Sequence, residues 1–294
     1  MTAVDTELFE QYRHLLFSIA YRMLGSAMEA EDMVQEAFLR YENVHDKAIQ
    51  SPKAYLTTIV TRLCLDQLKS ARIQREQYIG TWLPEPVFTQ QAASIEPGET
   101  ETISMAFMVL LENLSPVERA VFLLREVFDY DYAAIAGIVN KSEANCRRYY
   151  HLAKQYLIER RPRFQPSSVE QTKLVYRFMQ AVAEGDIDGL THVLAEDIIV
   201  YGDGGGKAPA ARIPQRGREA VMRLLLGSFR LLTPDTRVEL HDINGGLALM
   251  LWLGDVLSVV MNFTIVYNQI HAIHSVLNPD KLTYLAHSKT PPAN

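Results

Sequence analysis

The spacing of apolar residues changes along the chain, and this change limits the folds that it can adopt. Over about 5–75 and again over 111–157 the apolar residues recur with the 3.6-residue period of helices, as in Met33, Val34, Ala37, Phe38 and Tyr41. Helices over 169–185, 187–194 and 216–232 and β-rich runs at 235–243, 247–253, 256–267 and 269–277 come next, with the hairpin turn signals Asn244-Gly245 and Gly254-Asp255 between runs. The sequence therefore predicts all-α modules followed by an α+β domain of helices packed on an antiparallel sheet.

Length and composition indicate a multidomain cytoplasmic protein. The 294 residues suit two or three domains. No run reaches the roughly 18 apolar residues of a membrane span, and the N-terminus lacks the basic-then-apolar layout of a signal peptide. We expect Cys64 and Cys146 to be buried free thiols, and we expect no metal or cofactor.

The distribution of charge is more informative than its sum. The net charge of −6 argues against a uniformly basic nucleic-acid binder. Two basic stretches nevertheless stand out: Lys141 to Arg163 has seven basic against two acidic residues, and Lys53 to Arg75 has five against one. From Arg161 to the end the two signs balance, with 13 of each. The second half of the chain therefore does not look built to bind DNA, and the two basic stretches are solvated surfaces unless a structural context gives them a role.

The stretch 111–157 has the layout of a helix-turn-helix. Ser115, Pro116 and Glu118 form the start signal of one helix, including a capping box. Asp131 can cap a short helix through Ile138, and Ser142 can cap a longer basic helix to about Leu157. Such a second helix lies in the major groove of DNA, with its early residues on base edges.

A linker separates this region from the first helices. Ser51 and Pro52 begin a helix whose end is basic, and residues 76–102 then lose the helical period and carry several prolines and glycines. Trp82 and Leu83 are apolar for a linker, so we expect this segment to dock onto another part of the protein. Local packing on the neighbouring helices is an equally open alternative.

The glycine-rich string "YGDGGGK" at 201–207 is not a phosphate-binding loop. That loop requires Gly-x-x-x-x-Gly-Lys-[Ser/Thr], but Tyr201 takes the place of the first glycine and Ala208 that of the hydroxyl residue. A structural loop is the better interpretation.

Taken together, these segments resemble a bacterial extracytoplasmic-function (ECF) RNA polymerase sigma factor of the group with a fused SnoaL-like C-terminal domain. The resemblance rests on "AEDMVQEAFLRYEN" at 30–43, the helix at 52–72 and the segment from 114, with the subgroup strings "WLPEP", "DGGGK" and "NPDKL". It implies sigma region 2 over 1–75, a linker over 76–105, the region 4 helix-turn-helix over 106–162 and a SnoaL-like cone over 168–294, in which helices pack on a curved antiparallel sheet.

The resemblance also implies roles for particular residues. Core RNA polymerase would be bound through Asp32, Gln35 and Glu36. Upstream promoter DNA would be bound by Arg147 and Arg148 on bases or phosphates, with His151, Lys154 and Lys141 beside them. The loop Asn43 to Gln50 would hold an unstacked base, and Lys53, Arg62 and Lys69 would track the backbone of the melted strand. Tyr41 and Tyr55 are candidates for base stacking, although each also fits an apolar stripe.

The three subgroup strings imply control of the sigma factor by its own C-terminal domain. Their residues are Trp82, Leu83, Pro84, Glu85 and Pro86; Asp203, Gly204, Gly205, Gly206 and Lys207; and Asn278, Pro279, Asp280, Lys281 and Leu282. We expect the domain to grip the linker and to set the spacing of the two DNA-binding domains, without a separate anti-sigma protein. A free linker of about 27 residues could reach roughly 90 Å, so the spacing of the domains is otherwise loosely fixed.

The sequence leaves other functions open. SnoaL-like domains resemble ketosteroid isomerases and polyketide cyclases, and the candidates by residue type are Asp197, Asp203 and Asp255 with His241, His271 and His274. They form no catalytic constellation that the sequence supports. An apolar effector could instead bind in the cone, or the chain could be a DNA-binding protein that never meets polymerase; segment 30–43 argues against the last alternative.

Overall fold

The computed structural model describes residues 3–42, 49, 51–92, 101–160, 168–230 and 232–288. These residues form two compact units. The first contains the described residues up to Gln77 together with those from Thr89 to Arg160. The second contains Tyr78–Phe88 and the described residues from Ser168 onward. Eleven residues of the linker thus fold with the C-terminal half of the chain.

The first unit is helical. Its helices are α1 (Ala3–Leu24), α2 (Ala27–Glu42), α3 (Pro52–Glu76), α4 (Thr89–Ala92), α5 (Met105–Leu111), α6 (Pro116–Glu126), α7 (Tyr132–Val139) and α8 (Glu143–Arg160), and a 3₁₀ turn spans Glu101–Ile103. The predicted start signals are present: Ser115 and Glu118 form the capping box, Asp131 accepts from the Ala134 N–H at 2.7 Å, and Ser142 accepts from the Asn145 N–H at 3.3 Å.

Two buried arginines join the helices of this unit. Arg22 on α1 donates to the carbonyl oxygen of Ala92 at 3.0 Å and to the hydroxyl of Thr102 at 3.1 Å. Arg119 on α6 donates to the carbonyl of Met23 at 2.5 Å and to Glu112 at 2.7 Å. Burying a guanidinium without hydrogen-bond partners costs free energy, so these bonds are expected to persist in the folded protein. They tie α4, the 3₁₀ turn and α6 to the C-terminal end of α1.

The second unit is α+β. Its elements are α9 (Ser168–Glu184), α10 (Ile187–Val193), β1 (Leu194–Asp203), β2 (Gln215–Arg216), α11 (Arg218–Phe229), β3 (Thr236–Ile243), β4 (Gly246–Leu253), β5 (Val256–Val266), β6 (Gln269–Val276) and α12 (Pro279–His287). The turns Asn244-Gly245 and Gly254-Asp255 join strands as predicted, and a third turn at Tyr267-Asn268 also has positive φ at both residues.

The six-stranded sheet has the order β2-β1-β6-β5-β4-β3. Its neighbouring strands are antiparallel, as expected, except for β1 and β6, which are parallel. The predicted antiparallel sheet is thus present, with this one parallel pairing as a feature that the prediction did not include. The physical reason is that β1 is separated from the β3–β6 meander by α11, so no hairpin dictates its direction.

The two faces of this sheet are covered differently. One face carries Val200, Ile273 and Phe263, which form the apolar core with α9, α10 and α11. The other face carries a cross-strand row of Tyr201, His274, Asn262, Ala248 and His241. Asp203 lies on this second face, since it is two residues beyond Tyr201 in β1.

Among the described residues, none of the helices is long and apolar enough to span a membrane. The same part of the chain contains no cluster of three or more His, Cys, Asp or Glu side chains suited to a metal ion. Cys64 and Cys146 are buried free thiols, as predicted.

Candidate functional site

The helix-turn-helix is formed by α7, a left-handed Asn140 and α8. Asn140 has φ of 53°, which reverses the chain directly after α7. Cys146, Ala153 and Leu157 bury one stripe of α8, so the opposite side of this helix faces solvent. This is the arrangement in which a second helix is free to enter a DNA groove.

The basic side chains of α8 differ in how they are held. Arg147 donates to Glu143 at 2.9 Å, and its guanidinium lies 5.0 Å from the centroid of the Tyr132 ring. Lys154 donates to the Tyr150 hydroxyl at 2.7 Å and to Glu126, and these hydrogen bonds raise the pKa of Lys154. Arg148, His151 and Lys141 are exposed. The predicted DNA-binding residues therefore share one region, but they are not equally available.

The basic residues of α3 are more scattered. Lys53 is exposed near the start of the helix, and Lys69 pairs with Asp66 at 2.7 Å. Arg62 donates to the carbonyl oxygens of Gly137 at 2.8 Å and Ile138 at 3.0 Å, at the end of α7. In this structure its guanidinium is thus engaged by the helix-turn-helix.

The proposed base-holding loop falls largely outside the described residues, which include neither 43–48 nor 50. The rings of Tyr41 and Tyr55 lie 6.5 Å apart in a tilted pair, and both side chains are partly buried. This packing fits their apolar stripes.

The acidic side of α2 is presented to solvent. Asp32 and Gln35 are exposed, while Glu36 forms an i,i+4 ion pair with Arg40 at 2.8 Å. Met28 and Leu39 lie one turn before and after this group and are 49% and 52% exposed. The surface therefore combines charge with exposed apolar area, as protein-binding surfaces often do.

A second site lies around Asp203, which is completely buried. Its carboxylate accepts hydrogen bonds from the Tyr78 hydroxyl at 2.5 Å, the Leu83 backbone N–H at 2.8 Å and the Lys281 ammonium at 2.7 Å. Its backbone carbonyl also accepts from the N–H of Leu277 at 2.7 Å and of Asn278 at 2.8 Å. One residue of the "DGGGK" string thus holds both the linker and the "NPDKL" string.

Lys281 completes this arrangement. Its ammonium donates to the carbonyl oxygen of Leu83 at 2.5 Å and lies 4.1 Å from the Trp82 ring centroid and 4.8 Å from that of Tyr78. The side chain is 8% exposed, so its charge is balanced by Asp203, a carbonyl and two aromatic faces. Burial and the bond to Asp203 raise the pKa of Tyr78, which therefore stays a hydrogen-bond donor.

The glycines of the string allow close approach. Gly205 has φ of +57°, and a Cβ there would overlap with Nδ2 of Asn278, which itself donates to the Tyr78 hydroxyl at 2.8 Å. Gly206 has φ of +73° and lies against Ile79, while a Cβ on Gly204 would overlap with the Ala208 carbonyl. Lys207 pairs with Asp280 at the solvent-exposed edge. Pro279 is the first residue of α12, Asn278 caps it, and Leu282 is buried.

The rest of the linker segment is also tied to the second unit. We call Tyr78–Phe88 the strap. Leu83, Pro84, Glu85 and Pro86 are buried, and Val87 exchanges hydrogen bonds with Asn244, at 3.0 Å through its carbonyl and 3.2 Å through its N–H. Phe88 forms a β-bridge with Ile243 and meets the His241 ring edge-on at 5.7 Å. The expectation that Trp82 and Leu83 dock onto another part of the protein is confirmed.

The candidate catalytic residues do not assemble into an acid–base site. Asp255 is exposed in a turn, and the Asp197 side chain is 83% exposed with His271 at 3.4 Å. His274 is buried against the Tyr201 ring at 5.0 Å, and burial lowers its pKa to about 4. The Asp203 carboxylate already accepts hydrogen bonds from Tyr78 and Leu83 of the strap.

A cleft of about 370 Å³ opens on the second unit at α9, α10 and the β5–β6 turn. Its lining includes Arg177, Glu184, His192 and Asn268. Leu174, Ala181 and Val193 also line the cleft, so its lining mixes polar and apolar side chains.

Sequence reasoning did not find Tyr78 or Asn244. Tyr78 lies four residues before "WLPEP" in a stretch without periodicity, and nothing local marks its hydroxyl as a partner of Asp203. The sequence marks Asn244 only as a turn residue, although its side chain also binds the strap.

Comparison with known proteins identifies the domains of the chain. Residues 8–73 match Sigma-70 region 2, residues 104–157 match Sigma-70 region 4, and residues 175–267 match the SnoaL-like domain. The chain is 35% identical to the ECF RNA polymerase sigma factor SigJ of Mycobacterium tuberculosis, with 95% of this chain and 94% of SigJ covered. It is 29% identical to the probable ECF sigma factor SigI of the same organism, with 92% of each covered.

The solved crystal structure of SigJ has the same architecture, with a TM-score of 0.75 and 32% identity over 95% of this chain and 98% of that one. The fold and the helix-turn-helix define a promoter-recognition protein with a fused α+β domain. More specifically, the chain belongs to the ECF RNA polymerase sigma factors and carries a SnoaL-like C-terminal domain. As a sigma factor it binds core RNA polymerase and promoter DNA for transcription initiation.

Proposed function

We propose that the C-terminal unit controls this sigma factor in cis by holding the strap. The observation that supports the proposal is that the buried carboxylate of Asp203 accepts hydrogen bonds from Tyr78, Leu83 and Lys281. The strap begins two residues after α3 and ends directly before α4, so it forms the first part of the covalent connection between the two sigma regions. When the second unit binds the strap, fewer linker residues remain whose end-to-end distance can vary.

In this mechanism the spacing of the two DNA-binding regions depends on whether the strap is bound. Region 2 would contact core polymerase through Asp32, Gln35 and Glu36, and region 4 would contact the upstream promoter element through α8. The boundaries 1–75, 106–162 and 168–294 remain our proposal for these functions, with the strap assigned to the last. Control would take place in the cytoplasm with polymerase and would need no separate anti-sigma protein.

The second unit then acts as a regulator and not as an enzyme. Support for this comes from Asp203, the most buried of the three candidate bases, whose carboxylate is occupied by the strap and Lys281. A small-molecule effector that alters strap binding is compatible with the same mechanism.

Run-off transcription with purified core polymerase tests the proposal. Three forms are compared: the full chain, a chain ending at Pro166, and a chain ending at Leu277, which lacks "NPDKL" and the residues after it. We expect promoter-specific transcript levels to differ between the full chain and both truncations. Equal levels from all three, with equal core binding, would contradict control by the C-terminal unit.

A further inference from the structure

We propose that Asn145 and Arg148 are the base-reading pair of the helix-turn-helix, and that Arg147 is a positioning and phosphate-contacting residue. Nothing in the sequence pattern separated the two arginines. This inference rests on promoter binding by region 4 and is independent of control by the strap.

The position of Arg148 on α8 is the first argument. Successive residues of a helix are rotated by about 100°, so Arg148 lies about 200° from the buried Cys146, at the centre of the solvent-facing side. Arg147 lies only about 100° from Cys146, on the flank of α8 that carries Lys154 and faces Tyr132 of α7. A helix seated in the major groove brings its N-terminal residues and its outermost side to the base edges. Asn145 is the third residue of α8 and lies about 100° from Cys146 on the flank opposite Arg147, whereas the flank of Arg147 is turned toward Tyr132 of α7.

The availability of the side chains is the second argument. Arg147 has Glu143 and the Tyr132 ring as partners. Within the described part of the chain, the Arg148 guanidinium has no hydrogen-bond or ion-pair partner and only rests on the neighbouring Tyr149 ring at 5.1 Å. Its five donors are therefore available for the two acceptors of a guanine edge.

Asn145 supplies a complementary reader. It is exposed, and its side chain has no hydrogen-bond partner among the described residues; only its backbone N–H is used, by Ser142. It lies three residues before Arg148, which is about 4.5 Å along the helix axis and about 60° around it. That separation corresponds to neighbouring or next-neighbouring base pairs at about 3.4 Å per step. A carboxamide pairs with the N6 and N7 edge of adenine, so the pair is suited to a guanine and an adenine close together.

The test is a selection of randomised duplexes bound by the full chain in complex with core polymerase, followed by affinity measurements on single-base-pair variants of the selected sequence. Asn145→Ala and Arg148→Ala are compared with Arg147→Ala and Lys154→Ala. All four side chains lie on the surface of α8, so the fold is expected to persist and is checked by circular dichroism.

We expect Arg148→Ala to lose about 10-fold or more of the preference at one guanine-containing pair, and Asn145→Ala to do so at an adenine-containing pair beside it or one step away. Arg147→Ala and Lys154→Ala should weaken binding to all variants about equally and reduce its salt dependence. An unchanged preference in Asn145→Ala and Arg148→Ala, or a relaxed base position in Arg147→Ala, would overturn the assignment. If the wild-type complex forms but selects no sequence, base reading is refuted while core binding stands.

Discussion

The ammonium of Lys281 lies 2.7 Å from Oδ2 of Asp203, and the two side chains are only 8% and 0% exposed. Removing one partner of such a buried pair leaves an uncompensated charge and costs about 3–5 kcal/mol, whereas replacing both costs much less. Asp203 and Lys281 are 78 residues apart in sequence, and both also bind the strap. Their pairing therefore couples the core of the second unit to the linker between the sigma regions.

A double-mutant cycle tests this coupling. We expect Lys281→Met and Asp203→Asn each to lower the free energy of unfolding of the second unit by several kcal/mol, and the double variant to recover at least about 1 kcal/mol. Both tryptophans of the chain, Trp82 and Trp252, belong to this unit, so their fluorescence reports its unfolding within the full chain. The exposed pair Lys207 and Asp280 is the control, with an expected coupling of about 0–1 kcal/mol. Additive effects of the two buried substitutions would refute the coupling.

The close approach at Gly205 gives a second prediction. In Gly205→Ala the new Cβ would have positive φ and overlap with Asn278, so we expect a loss of about 1–3 kcal/mol in the stability of the second unit, read from tryptophan fluorescence. Gly227→Ala in α11 is the matched control, since a Cβ there meets nothing within 4 Å. Its stability should be unchanged or higher by about 0.5–1 kcal/mol. Equal stability of the two variants would contradict the role of Gly205.

Buried His274 predicts a dependence of stability on pH. Burial lowers its pKa from 6.5 to about 4 in the folded state. Between these values the unfolded chain binds a proton that the folded chain does not, so the free energy of unfolding decreases as the pH falls, by about 1.4 kcal/mol per unit. Above pH 6.5 this histidine contributes no dependence.

His274→Phe should flatten the decrease in this pH range, because it removes the titrating group and retains a ring against Tyr201. The exposed His192 provides the control, and His192→Gln should keep the wild-type slope. Urea unfolding followed by tryptophan fluorescence at several pH values measures both. The same slope in His274→Phe and the wild type would show that other groups cause the decrease.

The exposure of the Leu39 side chain predicts that it contributes apolar contact area to the binding of core polymerase. It is 52% exposed one turn after Gln35 and Glu36, beside the residues proposed to bind core polymerase. We expect Leu39→Ser to weaken core binding about 10-fold, as loss of an apolar interface residue typically costs more than about 1 kcal/mol. Tyr176→Ser removes a side chain of 57% exposure from α9 and serves as the control. Surface plasmon resonance with immobilised core polymerase measures both, and equal affinities would exclude Leu39 from the interface.

The features that the sequence predicted best are helix starts and turns, which depend on residues close together in the chain. Ser115, Asp131 and Ser142 cap helices within three residues of themselves, so the helix-turn-helix could be placed almost to the residue. The hairpins at Asn244 and Gly254 were equally local. Asn278-Pro279 is a helix-start signal of the same kind and marks the beginning of α12, which the prediction omitted.

Contacts between distant segments could not be predicted from the residues alone. The parallel pairing of β1 with β6 joins positions about 70 residues apart, and no turn specifies it. The composition of "WLPEP" predicted docking, but the partners Asp203 and Asn244 lie more than 100 residues away. In the same way, the family resemblance implied that Arg62 contacts the backbone of DNA, while in the structure its guanidinium donates to carbonyl oxygens at the end of α7.

The most direct test of strap control is promoter-specific transcription by full-length Asp203→Ala and Lys207→Ala, with hydrogen exchange of residues 78–88 measured on the same proteins. Asp203→Ala removes the acceptor of the Leu83 N–H, whereas Lys207→Ala removes only an exposed ion pair. We predict faster exchange of the strap in Asp203→Ala and a transcript level shifted to that of the chain ending at Pro166, with Lys207→Ala like the wild type. Faster exchange of the strap with an unchanged transcript level would contradict the account.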